Sequence, residues 1–244
     1  MKTFFYTIAF SLFICGTCYP ANNLSLLDNL NSADIGEYVV VAHSKTRFLF
    51  HIHSYDAENI YTEEVTAPAS RSPKSEWREW IQNDAPHAMS WVIYAIDRKT
   101  GSITRCYSFL RHGWLDVSGA DAFLSTLLTL DYTPVPEENL RRIGPPPTEG
   151  GHDDRALWKP RMIVDGTVVK GVDFEVWHSI WPSDGTELSN KDFEIYLPKD
   201  NDTYPAYFPS YITIRDSMGK ATARVIDSGK GMVSPNESTL FSLH

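Results

Sequence analysis

The sequence predicts a mainly β protein of the α+β kind, a curved antiparallel sheet or incomplete barrel of about ten strands with two or three helices packed on it. Three observations carry that prediction. Short runs rich in Val, Ile, Phe, Tyr and Thr recur along the chain and alternate apolar with polar residues, the period of a half-covered strand. Most connections between these runs are too short for parallel crossovers, so neighbouring strands must be mainly antiparallel. Among the runs lie segments of helical spacing whose apolar stripes need a surface to cover.

Taken in order, Ser25 and Asp28 have capping-box spacing, and Leu26, Leu27 and Leu30 share the face of a short opening helix. Strand-like runs follow at Glu37 to Ala42 and Arg47 to Tyr55, joined through Ser44-Lys45-Thr46. In the second, Phe48, Phe50 and Ile52 fall on one face and Leu49, His51, His53 and Tyr55 on the other. Ile60 to Thr66 reads as a third strand, ended by Pro68. Ser72-Pro73 starts a helical turn, with Trp77, Trp80 and Ile81 at helical spacing. Trp91 to Ile96 and Ile103 to Leu110 form a hairpin in which Gly101 suits a left-handed turn position. Ser118 and Asp121 cap a second helix with Phe123, Leu124, Leu127 and Leu128 on its stripe, expected to lie on the concave face of the sheet.

From Pro134 to Gly151 the composition turns to Pro, Glu and Gly, an insertion within one β-rich domain of residues 22–244. Beyond it, Arg161 to Val164 and Thr167 to Lys170 flank Asp165-Gly166, a type I′ hairpin pair because both turn positions need positive φ. Val172 to Trp181 alternates, Phe193, Ile195 and Leu197 mark another strand, and Tyr211 to Arg215 and Ala221 to Ile226 complete the series. Asp227-Ser228-Gly229 reads as the turn that ends it.

Composition narrows the function classes. With 42% hydrophobic and 22% charged residues the chain is globular, and 13% aromatics, including 7 Trp, suffice for a large core or an aromatic-lined cavity. A net charge of -9 with no basic cluster in the sequence argues against a nucleic-acid partner. At the N-terminus, Lys2 precedes an apolar run from Phe4 to Cys15 and then Gly16-Thr17-Cys18, the pattern of a cleaved export signal over residues 1–21. The expected location is therefore periplasmic or secreted, with acylation of Cys18 as the competing outcome. Cleavage after Cys18 leaves Cys106 alone, in a strand-like run that makes it a core residue.

The runs Phe174 to Trp177, Asp184 to Leu188, Phe193 to Tyr196, Phe208 to Ile212 and Val225 to Gly229 resemble the C-terminal half of exported bacterial proteins of unassigned function. Over residues of about 155–233 the meander is also similar in outline to the periplasmic lipoprotein-localisation carriers. That resemblance implies an incomplete antiparallel barrel wrapped around helices, with a hydrophobic cavity for acyl chains.

Few patterns point to catalysis. There is no G-x-S-x-G elbow, no S-x-x-K and no glycine-rich phosphate cradle, so no catalytic residue and no cofactor are assigned. His51 and His53 share a strand face and His43 lies in the neighbouring strand, a candidate three-histidine metal set that Glu63 or Glu64 would complete. Glu63 and Glu64 are adjacent, so in a strand their side chains diverge. Gly150 to Asp154 places His152 beside two carboxylates, a second candidate cation loop. The expectation is an exported, non-enzymatic binding protein of the cell envelope that takes a lipid or lipoprotein acyl chain, with peripheral membrane contact. The alternatives are a metal-assisted hydrolase using the His51/His53 face and a structural, partner-binding envelope protein.

Overall fold

The computed structural model describes residues 23–117, 122–147, 153–217 and 219–236. Among these the chain forms helix α1 (Leu26–Ser32), strands β1 (Tyr38–His43), β2 (Thr46–Tyr55) and β3 (Asn59–Pro68), helix α2 (Trp77–Gln82), strands β4 (Ser90–Asp97), β5 (Ile103–Ser108) and β6 (Gly113–Leu115), and helix α3 (Ala122–Thr129). Next come β7 (Thr133–Pro134), a 3-10 turn at Glu137–Asn139, β8 (Met162–Val164), β9 (Thr167–Val169), β10 (Phe174–Ile180), β11 (Asp192–Pro198), β12 (Tyr211–Asp216) and β13 (Gly219–Gly229).

Eleven strands build one curved, unclosed antiparallel sheet in the order β6-β5-β4-β3-β2-β1-β13-β12-β11-β10-β7, and β8-β9 form a separate ribbon. Each half of the chain is a meander of hairpins, and the β1–β13 pairing joins them. The Pro-rich segment therefore connects two parts of a continuous sheet.

Strand alternation sends side chains to two cores. On one face, Val39, Val41, Phe50, Ile52, Phe193, Ile195, Ile212 and Val225 pack under α1 and α3, which add Leu26, Leu30, Leu124, Leu127 and Leu128. On the other, Tyr38, Val40, Leu49, Val65, Trp91 and Ile93 pack under α2, which adds Trp77, Trp80 and Ile81. Each large apolar side chain fully buried in this way contributes about 1.5–3 kcal/mol.

Local chemistry sets several boundaries. Ser25 Oγ accepts from Asp28 N at 3.1 Å and starts α1. Asp165 and Gly166 adopt φ of 47° and 75°, as a type I′ turn requires. Helix α2, in contrast, begins only at Trp77, after Glu76 in the left-handed region, and not at Ser72-Pro73. Backbone bonds from Arg71 and Ser72 to Pro68 O fold the preceding residues into a turn instead. Asp227, Ser228 and Gly229 are not a turn but the end of β13, because β1 supplies ladder partners for all three. The Pro-rich segment also holds β7, which adds to β10 at one sheet edge. The capping pair Ser118 and Asp121 lies outside the described residues.

Candidate functional site: an apolar cavity under helix α3

A cavity of about 610 Å³ opens between the sheet and α3. Its walls are Val41, Phe48 and Phe50 from β1 and β2, Ile212, Ile214, Ala221 and Ala223 from β12 and β13, and Phe123 and Leu124 from α3. Alternation places the strand residues there: each is the inward member of its strand's pleat. Aromatic stacking stiffens the walls. Phe50 stacks on Phe208 at 5.2 Å, and Phe123, Trp181 and Phe193 form a second stack with successive centroid distances of 5.6 and 4.8 Å. The Tyr207 hydroxyl donates to Phe50 O at 3.1 Å, fixing the loop that carries Phe208.

Polar groups in the cavity lining are few: His43, Glu64, Glu187 and Lys191, with the Tyr94 hydroxyl. Tyr94 and Thr66 donate to the Glu64 carboxylate at 3.2 and 2.9 Å, and Lys191 pairs with Asp216 at 2.8 Å. An apolar volume with a small set of placed polar groups suits an amphiphilic or apolar ligand.

The candidate metal residues do not converge. His51 and His53 do share a face of β2, with ring centroids 6.0 Å apart, but they lie on the α2 side, whereas His43 lines the cavity on the α3 side. Among the described residues no group of three His, Cys, Asp or Glu side chains is placed to hold a metal ion. His51 is instead built into a buried polar network. Its Nδ1 lies 3.1 Å from Glu63 Oε2 and its Nε2 lies 3.1 Å from Met232 O. Trp91 Nε1 and Ser234 Oγ donate to Glu63 Oε1 at 2.7 and 2.8 Å. Burial pushes the Glu63 carboxyl up, but His51, Ser234 and Trp91 outweigh it and hold the group below the ordinary carboxylate range. Glu64 points the other way, to the cavity, so the two adjacent carboxylates diverge as their strand positions require.

A second polar cluster lies beside the β8-β9 turn. Tyr38 donates to Asp165 at 2.9 Å, Arg78 pairs with Asp165 at 3.0 Å, and Asp227 accepts from Gly166 N and Ser228 N. Burial, with Asp165 nearby, pushes the Asp227 carboxyl up, and burial and both aspartates raise the Tyr38 phenol. Of the other candidate cation loop, His152 lies outside the described residues, and Asp153 pairs with Arg155 at 2.8 Å and Arg142 at 3.5 Å.

As a class, then, the molecule is an open, curved antiparallel sheet with helices on both faces and an apolar cavity beneath one of them. The chain belongs to the CT021 protein family, whose model matches residues 48–170. Among solved structures it is similar to the hypothetical protein CT021 from Chlamydia trachomatis, with a TM-score of 0.63 and 17% identity over 87% of this chain and 96% of that one. At that identity the likeness is one of fold. No match is found among curated proteins. The family match falls mainly on the N-terminal half of the sheet, whereas the sequence resemblance rested on residues of about 155–233.

Proposed function

We propose that this protein binds an apolar ligand of the acyl-chain class in the α3 cavity, as a non-enzymatic protein exported from the cytoplasm. The cavity carries the reading. About 610 Å³ lies within the usual range for small-molecule sites, and its walls are Phe, Ile, Leu, Val and Ala. His43 and Lys191 stand among the lining groups where the polar head of an amphiphile would end. The sequence resemblance of residues of about 155–233 to the lipoprotein-localisation carriers favours the same ligand class, and the N-terminal segment of Lys2 to Cys18 favours export.

The test is a homologous series of saturated fatty acids titrated against a fluorescent acyl probe. Each added methylene should contribute about 0.8 kcal/mol, or roughly a fourfold gain in affinity, until the cavity is filled. Ala223→Trp places an indole in the cavity and should abolish binding while leaving the circular dichroism spectrum unchanged. Absence of saturable binding, or binding indifferent to Ala223→Trp, would overturn the proposal.

A further inference from the structure

The cavity uses one face of β12 and β13, and the alternate residues of the same strands build a different site on the opposite face. Ile212 and Ala223 line the cavity, so Tyr211 and Arg224 point away from it. There, with the segment Trp158 to Arg161 laid across them, they form a cleft of about 320 Å³. Its ten lining residues include Lys159, Arg161 and Arg224 and no carboxylate, in a chain with 22 Lys and Arg against 31 Asp and Glu. The local charge is thus opposite in sign to that of the whole molecule.

Register extends the positive row. Ala42 pairs with Arg224 on one side and with Arg47 on the other, so two guanidinium groups flank one small side chain. Burial first, and then the charge of Arg224, lower the Arg47 guanidinium from its ordinary value. Lys159 is paired with Asp173, but among the described residues none of Arg47, Arg161 and Arg224 has a carboxylate partner.

The cleft also has a rigid aromatic wall. The Trp158 ring meets Tyr196 and Tyr211 edge-on at 5.2 and 4.9 Å, and the Arg141 guanidinium lies 4.2 Å from its centroid. Guanidinium groups match the oxygens of phosphate in bidentate fashion, and a dianion would relieve two positive charges at once. The volume exceeds what a bare phosphate needs, which leaves space against Trp158 and Tyr211 for an organic body.

We propose that this cleft is an anion site for a phosphate ester, held by Arg161 and Arg224 with its organic portion against Trp158 and Tyr211. It is separate from the apolar cavity, so neither proposal depends on the other.

The full chain would be titrated calorimetrically with inorganic phosphate and with glycerol 3-phosphate, and by flotation with phosphatidylcholine vesicles with and without phosphatidic acid. Saturable binding of glycerol 3-phosphate, tighter than that of inorganic phosphate, would support a soluble ester as ligand. Binding only to vesicles containing phosphatidic acid would support a lipid head group. In either case Arg224→Ala and Arg161→Ala should each weaken binding about 10- to 100-fold, with Arg224→Lys retaining part of it. Both side chains are exposed, so the melting temperature serves as a control that should not move. Binding to none of these probes, or binding that the two alanine variants leave unchanged, would overturn the proposal. Fatty-acid binding in the same variants reports separately on the apolar cavity.

Discussion

Replacing Glu63 by alanine probes whether the His51–Glu63 pair is a structural tie. Glu63 is fully buried, and its carboxylate is the acceptor for His51, Trp91 and Ser234. Without it, a buried imidazole, an indole N–H and a hydroxyl lose their partner together. Removing one member of a buried charge pair costs about 3–5 kcal/mol. In a chain of this length roughly 2–4 °C of melting temperature accompany each kcal/mol, so Glu63→Ala should melt about 6–20 °C lower. Thermal and urea unfolding followed by circular dichroism give the number. The double variant His51→Leu/Glu63→Leu removes both members of the pair but leaves Trp91 Nε1 and Ser234 Oγ without their acceptor, so against the single variants His51→Leu and Glu63→Leu it should recover part of the loss, giving a non-additive cycle. The same tie predicts a pH response. The folded-state pKa of Glu63 lies below its unfolded value, so its contribution is complete above the ordinary glutamate range and fades as pH falls through the depressed value. A loss below about 1 kcal/mol, or stability additive in the double variant, would refute this account.

Two further outcomes follow from single positions. A Cβ at Gly229 would lie 2.5 Å from Asp165 Oδ1 and 2.7 Å from Tyr38 Cε1, so Gly229→Ala must disrupt the Tyr38–Asp165 bond. A destabilisation of about 1–3 kcal/mol in urea titration is expected, and a neutral result would show that the cluster yields freely. For export, intact mass of protein expressed from residue 1 should place the mature N-terminus between residues 17 and 24. A diacylglycerol-sized addition would assign Cys18 acylation, and a full-length mass would reject the signal.

Much of the fold was legible because strand periodicity is a local property. The pleat of β2 as far as Ile52, the pleat of β11 and the Asp165-Gly166 turn each depend on a few consecutive residues and formed as read, but a register shift between Ile52 and Ser54 makes His53 an extra residue and pairs Tyr55 with Ile60, on the face opposite His51. Short edge strands were not legible. Gly113–Leu115 and Thr133–Pro134 are too brief for a period to show, and they are strands only because β5 and β10 offer ladder partners. Asp227 and Ser228 carry turn-favouring side chains, yet they end β13 because a distant strand, β1, satisfies their backbone. The His51–Glu63 contact was within reach: the two residues are directly paired in the β2–β3 hairpin, and only its register was missing. The cavity was further away, since its walls come from both halves of the chain and from the segment of Glu187 to Lys191.

The join between the halves depends on one irregularity. Tyr38, Val39 and Val40 pair with Gly229, Ser228 and Asp227, but Val41 pairs with Val225, so Ile226 is an extra residue in β13. A bulge of this kind resets which side chains face which way. Were the ladder regular, Val41 would oppose Ile226, and His43 would oppose Arg224, which would then point into the cavity while Val225 left the core. With the bulge, Val225 packs under the helices, Ala223 lines the cavity and Arg224 stands with Tyr211 in the cationic cleft. One inserted residue thus assigns the side chains of β13 to three sites at once, which explains why the alternation of Ala221 to Ile226, read alone, marked the strand without revealing what it serves.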